Sequence, residues 1–465
     1  MTPTTSSSRS RPPGPPRRRL HTLRLLADDP LTFYERLHRD YGDIVFYEVP
    51  TGKNCVVFSA DLIKEVLEEK LSVLPPAHPV CSFDVIEAPI VATSQGEDHR
   101  RLTELVTSSL APDRMRGYAD ALAESIDHHL KRLRPGDRAN LRDDFEHLAW
   151  DATLSVLFGS AEFPTPEVGR PFLKMIKLKF LVASLPGGRL LLRLPLPFLL
   201  RARRATKKLD ALTYRAIRRA GDPRHPGLDL VSHLVRAPEQ GLVEWTFKNE
   251  REVRDMAYSL LFMAYEPVTI VLSFGSWFLA RNPEVRERLE QEADEVLGTR
   301  PMRGSAFPKL RYAQAVCSEL LRIQPPAYTL VPRRAREDTV LGGYSIPKGT
   351  VVEIGASVLH TRADYWGDRA GEFQPDRWLT EGTTGTSGCP RDAFLPFSRG
   401  PRVCPGSHFA TVLMVLALAG LSRRFRVQPR LKQMPKRNST GMAFFNGPVP
   451  GTVQRRNRAP ARRTQ

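Results

Sequence analysis

Cys404 lies in the stretch FSRGPRVCPGSHFA, close to glycines and just before the apolar run TVLMVLALAGL, which predicts a helix. Backbone amides at a helix N-terminus stabilise negative charge and favour the thiolate form of a cysteine. The glycines would let the backbone approach a large flat group, and Arg402 could pair with an acidic group on it. A lone cysteine is more often a small buried hydrophobe, so this loop leaves both interpretations open.

Apolar spacing predicts helices and a hairpin near the N-terminus. DPLTFYERLHRDYG has a helical pattern that ends in glycine, and DIVFYEVP with KNCVVFS predicts a hairpin that turns at Thr51 and Gly52. ADLIKEVLEEK predicts a further helix. Val73 to Ala92, with four prolines and little periodicity, predicts a long loop of the kind that is often functional.

The rest of the chain predicts a mainly α fold with small β regions in a single domain. Asp98 to Gly298 is mostly helical in pattern, with breaks at PGDR, PTPE and LPGGR, and a second β region begins at Val331 with EDTVLGGYSIPKGT as a hairpin. We predict a folded domain over residues 20–452, between disordered basic tails at 1–19 and 453–465.

The charge of the chain is concentrated at its ends. The formal net charge is +18, six arginines precede the first acid, and five lie at or after position 455. The tails are rich in Pro, Ser and Thr and bury little apolar surface, which favours disordered solubilising segments over a nucleic-acid site. No nucleic-acid partner is predicted.

Composition favours a soluble cytoplasmic protein. The chain is 41% hydrophobic, no apolar uncharged window is long enough to span a bilayer, and the N-terminus lacks the apolar core of a secretory signal. The five cysteines are widely spaced without a CxxC pair, so neither a disulfide framework nor a zinc site is indicated. We predict no transmembrane anchor.

The segment RLLLRLPLPFLL, from Arg189 to Leu200, is apolar, broken by prolines and followed by the basic run RARRATKK. One interpretation is a loop packed on the body of the protein with a solvated charged helix behind it. The other is a mobile lid over a pocket for lipophilic ligands, with peripheral contact to a membrane surface.

Arg254 to Ala280 predicts one long apolar helix that contains two costly residues in succession, Glu266 and Pro267. A proline inside a helix removes a backbone donor and clashes one turn back, at a cost of about 3 kcal/mol. A cost of this size has two explanations. Either Glu266 and Pro267 serve a function, or Glu266 is a buried carboxyl with satisfied hydrogen bonds beside a structural kink at Pro267.

Several stretches together resemble the cytochrome P-450 family, in its soluble bacterial type. FSRGPRVCPG contains Phe397, Gly400, Arg402, Cys404 and Gly406 in the family's order F-x-x-G-x-R-x-C-x-G, which is a specific signature. The other matching stretches are SELLR with Glu319 and Arg322, FQPDRW with Arg377, GEDHRR with His99, and VPRR with Arg333. The resemblance covers nearly all of the chain.

The resemblance implies a role for each matching residue. Cys404 would be the thiolate ligand of a haem b iron, with Phe397 shielding its sulfur. Arg402, Arg333 and His99 would bind the haem carboxylates. Glu319, Arg322 and Arg377 would form a triad with a structural role and not a catalytic one.

Two positions depart from the family's pattern. Thr103 stands where an arginine usually follows the histidine by four residues, with Arg100 or Arg101 as substitutes for the missing carboxylate contact. On the distal helix, Ala264 and Glu266 match the pattern [A/G]-G-x-[D/E]-T-T, but Pro267 replaces the threonine. The chain thus keeps the family's proton-delivering acid and lacks the hydroxyl that positions water.

Thr269, about 200° further around the helix, is not expected to replace that hydroxyl. Pro267 leaves the carbonyl of Met263 without its usual donor, so this carbonyl could hold a water instead.

The resemblance implies an oxidoreductase, a cytochrome P-450-type monooxygenase acting on a lipophilic small molecule of bacterial secondary metabolism, terpenoid or polyketide-like. Because Pro267 replaces the distal threonine, a peroxide-driven reaction, a rearrangement or lyase reaction, or a nitrene-type transfer remains an alternative, as does a noncatalytic haem or ligand-binding protein. Electrons would come from NAD(P)H through a separate ferredoxin and ferredoxin reductase or a flavoprotein, and the protein is expected to be a monomer.

Overall fold

Helices dominate the computed structural model, which describes residues 10–77, 91, 94–159, 196–241, 247, 249–379, 391–434 and 447–457. The described helices are α1 (Arg19–Asp28), α2 (Pro30–Tyr41), α3 (Ala60–Lys64, continued by a π-helical turn Glu65–Glu69), α4 (Gly96–Ser109), α5 (Pro112–Arg132), α6 (Leu141–Phe158), α7 (Pro197–Ala220), α8 (Leu230–Arg236), α9 (Glu250–Arg281), α10 (Pro283–Leu297), α11 (Arg311–Ile323), α12 (Ala356–Leu359), α13 (Ala363–Trp366) and α14 (Ser407–Arg424).

The strands are short and form small sheets. They are β1 (Ile44–Val49), β2 (Gly52–Val57), β3 (Gly136–Arg138), β4 (Leu330–Arg334), β5 (Thr339–Leu341), β6 (Tyr344–Ile346), β7 (Val351–Ile354), β8 (Phe425–Pro429) and β9 (Gly451–Arg455). The described sheets have the orders β1-β2-β7-β4, β3-β9-β8 and β5-β6. A mainly α fold with small β regions, as predicted, is confirmed.

The chain forms two compact units that alternate along the sequence. The first contains Met1–Pro79, Glu319–Cys404 and Lys436–Asn446, and the second contains Val80–Ser318, Pro405–Pro435 and Gly447–Gln465.

The four-stranded sheet lies in the first unit and carries its apolar core. Antiparallel β1 and β2 form the predicted hairpin, but Val49 pairs with Gly52, so the turn is Pro50–Thr51, one residue earlier than predicted. The fixed φ of proline suits the first inner position of such a turn. Parallel pairing of β2 with β7 and antiparallel pairing of β7 with β4 complete the sheet.

The second unit is built around α9. This helix runs from Glu250 to Arg281, four residues earlier at its start and one later at its end than predicted, and the side chain of Asn249 accepts hydrogen bonds from the first amides. By length and composition it could cross a membrane, but 72% of its apolar window is buried inside the protein, as in the core helix of a soluble protein.

Both ends of the folded region extend into the segments predicted to be disordered tails. Pro12 is buried and Phe46 N–H donates to the carbonyl of Pro13 at 2.8 Å. Strand β9 continues to residue 455, past the predicted boundary at 452, and Arg456 pairs with Asp294 at 2.8 Å. The prediction of disorder was wrong for these residues, because composition shows the charges of a segment but not the residues with which they pair.

Other predicted features lie partly or wholly outside the described residues. Of the Val73 to Ala92 loop, residues 73–77 and 91 are described, and the predicted breaks at PTPE and LPGGR are not. Of the Arg189 to Leu200 segment, residues 196–200 are described, where α7 begins. The hairpin predicted in EDTVLGGYSIPKGT is confirmed as β5 and β6.

Acid should destabilise this fold through buried neutral histidines. Burial lowers the pKa of His360 to about 3 and that of His233 to about 4. Because each folded-state pKa lies below the unfolded value near 6.5, the unfolded chain binds more protons, and stability falls as pH drops below about 6.5. The loss is about 1.4 kcal/mol per pH unit for fully buried His360 and smaller for half-buried His233, whose charge is partly screened by water. Urea unfolding between pH 7 and pH 4.5 measures this loss. Replacing exposed His128 with Asn should leave the pH profile unchanged, and a flat profile in the native protein would contradict the prediction.

Candidate active site

Backbone geometry holds the cysteine loop in one conformation. Gly400 to Arg402 form a single 3₁₀ turn, and Cys404 N–H closes the loop by donating to the carbonyl of Phe397 at 2.9 Å. Ser398 and Gly400 have φ values of 65° and 70°, in the left-handed region. A Cβ at Gly400 would lie 3.0 Å from the carbonyl oxygen of Leu67, so the position favours glycine both by conformation and by space.

Side chains anchor this loop within the first unit. The Arg399 guanidinium donates to Glu68 at 2.6 Å and to Asp392 at 2.7 Å. Cys404 is half-buried and outside any disulfide. The buried Cys55 and Cys317 differ, because burial raises the pKa of both thiols, that of Cys317 to about 12. Among the described cysteines, Cys404 is therefore the one with access to a ligand.

Arg333 is a buried cation for which the described residues provide no acceptor. It lies on β4, fully inaccessible to solvent, and none of its three guanidinium nitrogens has a hydrogen-bond partner among the described residues. Burial, with Arg402 nearby as a second cause, lowers the pKa of Arg333 to about 10, and burial also lowers the pKa of Arg402. A buried unpaired charge of this kind is costly, so buried Arg333 with half-buried Arg402 near it indicates a site for an acidic group of a ligand.

The three residues predicted to form a structural triad lie together. Arg322 donates to both carboxylate oxygens of Glu319, at 2.7 and 2.9 Å, and neither residue is exposed. Arg377 donates to Glu319 at 3.1 Å, and the indole of Trp378 donates to it at 2.9 Å. Trp378 was not singled out from the sequence, although it follows Arg377 directly.

The His99 segment lies on α4 in the second unit. His99 and Thr103 are half-buried and one helical turn apart, with Nε2 of His99 3.2 Å from the Thr103 hydroxyl. Arg100 and Arg101, considered as substitutes for the missing arginine, are exposed and pair with Glu97 at 2.6 and 2.9 Å. In this structure their guanidinium groups are thus engaged with Glu97.

Ala264, Glu266 and Pro267, which the family resemblance places on the distal helix, lie on different faces of α9. Ala264 and Pro267 are half-buried, on the same helix face as Met263, whose side chain is 48% exposed. Glu266 is fully buried and accepts a hydrogen bond from Arg142 of α6 at 2.8 Å.

Thr269 is also fully buried, and its hydroxyl donates to the carbonyl of Tyr265 at 3.0 Å. The hydroxyl therefore points away from the face of Pro267, in agreement with its helical angle. Sequence reasoning missed Arg142, because it lies 124 residues from Glu266 and has no motif; a buried acid that requires a cation was the only available signal.

Comparison with known proteins identifies similar chains. The family model described as cytochrome P450 matches residues 12–455. The chain is 30% identical over 421 residues to cyclooctatin synthase of Streptomyces melanosporofaciens, covering 88% of each chain, and 28% identical over 341 residues to pentalenene oxygenase of Streptomyces avermitilis, covering 72% of this chain and 73% of that protein. Retinoic acid-bound cyanobacterial CYP120A1 has a similar fold, with a TM-score of 0.80 at 21% identity over 97% of this chain and 100% of that one.

Proposed function

Because this chain belongs to the cytochrome P450 family, an oxidoreductase family that carries haem iron, we propose that it is a haem-thiolate monooxygenase acting on a lipophilic terpenoid or polyketide-like molecule. Two relatives named for bacterial terpenoid modification support the terpenoid class. One observation supports haem binding by particular residues: Arg333 is buried, lies near Arg402 and has no hydrogen-bond acceptor among the described residues.

The residues of the first unit fit a haem group. Cys404 would supply the thiolate ligand of the iron, and Arg333 and Arg402 would donate to the haem carboxylates. Haem, when bound through a thiolate, supplies the iron that activates oxygen, and the electron-rich ligand favours O–O cleavage. The left-handed backbone at Ser398 and Gly400 fixes where the thiolate is presented. From the second unit, we assign His99 a carboxylate contact by family resemblance.

The half-buried face of α9 would meet the substrate. Leu260, Met263, Ala264 and Pro267 follow one another at i, i+3, i+4 and i+7, so they share a face with no polar side chain. Such a surface excludes water and contacts a lipophilic molecule through dispersion and burial. The carbonyl of Met263 has no N–H from residue 267 to accept, and it is therefore available to a water or to a substrate hydroxyl.

Proton supply at this face would differ from the family's usual pattern. Arg142 donates a hydrogen bond to Glu266 at 2.8 Å and holds its carboxylate in the packed interior of the second unit. Glu266 can act in proton delivery only by exchanging this partner for water, so we assign Arg142 as the residue that positions Glu266. The ion pair and the missing hydroxyl at Pro267 together favour one second candidate, an oxygen-independent or peroxide-driven reaction.

Labelled dioxygen distinguishes the two candidates. The purified holoenzyme is supplied with cyclic terpenes, NADPH, a surrogate ferredoxin and its reductase, and product oxygen is analysed by mass spectrometry. A monooxygenase gives labelled product only when reductant is present. Product that forms without reductant, or with peroxide alone and no label from dioxygen, would support the second candidate, and binding without any product would support a noncatalytic protein.

Pro267→Thr tests the distal helix itself. We expect the variant to keep its product and to release less peroxide per NADPH consumed, because a hydroxyl at residue 267 can hold water for proton transfer; positioned proton transfer typically contributes about 100-fold or more in rate. Pro267→Ala is the matched control, since it restores the backbone N–H without a hydroxyl. Loss of product in the Thr variant alone would contradict a monooxygenase that works without that hydroxyl.

The remaining assignments follow from family and composition. We propose a monomeric cytoplasmic protein that receives electrons from a separate ferredoxin and ferredoxin reductase or from a flavoprotein. Arg399 of the cysteine loop is engaged with Glu68 and Asp392, so its contribution to the attraction of an acidic donor would be small.

A further inference from the structure

Helix α7 exposes an unusual concentration of positive charge. Arg201, Arg204, Lys207, Lys208, Arg215 and Arg218 are all exposed, and the helix contains one acid, Asp210. At 100° per residue these six cations fall within one face, and we call them the basic stripe. Asp210 faces elsewhere, since it accepts from the hydroxyl of Tyr258 at 2.8 Å.

Acidic side chains of the described residues neutralise little of the basic stripe. Within the described parts of the chain, Arg218 lies 3.8 Å from Glu250, and the other five cations have no carboxylate within ion-pair distance. The opposite face of α7 is packed inside the second unit through buried residues that include Leu199, Leu209 and Ile217. A long helix held by its apolar face therefore presents a fixed row of charges.

Two exposed leucines lie at the N-terminal end of the same helix. Leu196 and Leu200 are 40% and 37% exposed. Among the described residues, only a few large apolar side chains are exposed, and these two are among them. Apolar side chains next to a row of Lys and Arg match the chemistry of an anionic lipid surface, where the leucines enter the acyl boundary and the cations meet phosphates. An acidic protein would pair with the cations but gives no reason for the exposed leucines.

We propose that α7 docks the protein on anionic lipid membranes through the basic stripe and Leu196 and Leu200. This peripheral contact would place the enzyme where lipophilic molecules concentrate. It does not depend on which reaction the haem site performs.

Vesicle flotation of the haem-loaded full chain tests the proposal. The protein should float with vesicles that contain phosphatidylglycerol, should not float with phosphatidylcholine alone, and should be released when salt rises from about 0.1 M to about 1 M, because the screening length falls from about 10 Å to about 3 Å. Replacing Lys207, Lys208 and Arg215 with Glu should weaken binding at least about 100-fold, since each cation lost near such a surface costs about 1 kcal/mol and the new carboxylates repel the anionic lipid. Leu196→Ser with Leu200→Ser should weaken binding to the same anionic vesicles at about 0.1 M salt, because the leucines no longer enter the acyl boundary.

A second charge-reversal variant provides the control. Arg303, Lys309 and Arg311 are exposed on another segment, and replacing them with Glu gives the same net charge. Equal loss of binding in both variants, or equal binding to neutral vesicles, would overturn the proposal. If the stripe variant still floats but loses only ferredoxin-supported turnover, the stripe belongs to an acidic protein partner and the proposal is wrong. An unchanged haem absorption spectrum shows that each variant is folded.

Discussion

Glu319→Gln should destabilise the folded protein by about 3–5 kcal/mol, because it leaves the buried charge of Arg322 without its counter-ion. Arg322 is fully buried, donates to Glu319 at 2.7 and 2.9 Å, and also donates to the carbonyls of His360, Ala370 and Glu372. One carboxylate thus positions a guanidinium that ties together three separate chain segments of the first unit. Urea unfolding followed by haem absorbance and by circular dichroism measures the loss.

Arg369→Gln is the matched control for Glu319→Gln. Arg369 pairs with Glu372 at 2.9 Å on an exposed part of the same unit, where an ion pair contributes about 0.2–1 kcal/mol. If Glu319→Gln fails to accumulate, Arg322→Lys keeps the charge and tests the geometry alone. Glu319→Gln that unfolds at the same urea concentration as the control would contradict the structural role of the triad.

Arg333→Leu should accelerate haem loss by about tenfold to 100-fold while leaving the haem-free protein at least as stable as the native chain. Hydrogen bonds to charged groups contribute about 1.5–3 kcal/mol, which sets the effect on haem affinity. In the haem-free protein the buried guanidinium is a cost, since none of its nitrogens has a described acceptor. If Arg333 only supported the fold, Arg333→Leu would lower both the haem affinity and the stability of the haem-free protein.

Transfer of haem to apomyoglobin measures the loss rate, and thermal unfolding of the haem-free form measures stability. Arg334, the exposed neighbour on β4, provides the control as Arg334→Leu, which should leave haem retention unchanged. Equal haem loss in both variants, or a large fall in the stability of haem-free Arg333→Leu, would contradict the assignment of Arg333 to the haem carboxylates.

Sequence reasoning predicted the fold class and the local elements because their signals are local. The Pro50 hairpin, the β5–β6 hairpin and the length of α9 follow from alternation, turn residues and apolar runs within a few residues. The cysteine loop was located by its motif, and the structure adds the close approach of Leu67 that explains Gly400.

Features that depend on distant partners were not predictable in the same way. Arg142 pairs with Glu266 across 124 positions, and Arg456 pairs with Asp294 across 162, so no local pattern reveals either contact. The arginines counted as tail charges include Arg456, which is therefore part of the fold. The sequence left Glu266 as either a proton-delivering acid or a satisfied buried carboxyl, and in the structure it is buried and paired with Arg142.

The absorption spectrum of the reduced, carbon monoxide-bound protein tests most directly whether Cys404 is the ligand of a haem iron. We expect a Soret band at the long wavelength that is characteristic of thiolate-ligated haem, and a shift of that band to shorter wavelength, or loss of haem, in Cys404→Ala and Cys404→His. Cys317→Ala, at a buried cysteine outside the loop, should keep the native band position. A Soret band in Cys404→Ala that matches the native protein would contradict the assignment of Cys404 as the iron ligand, and with it the account of this site.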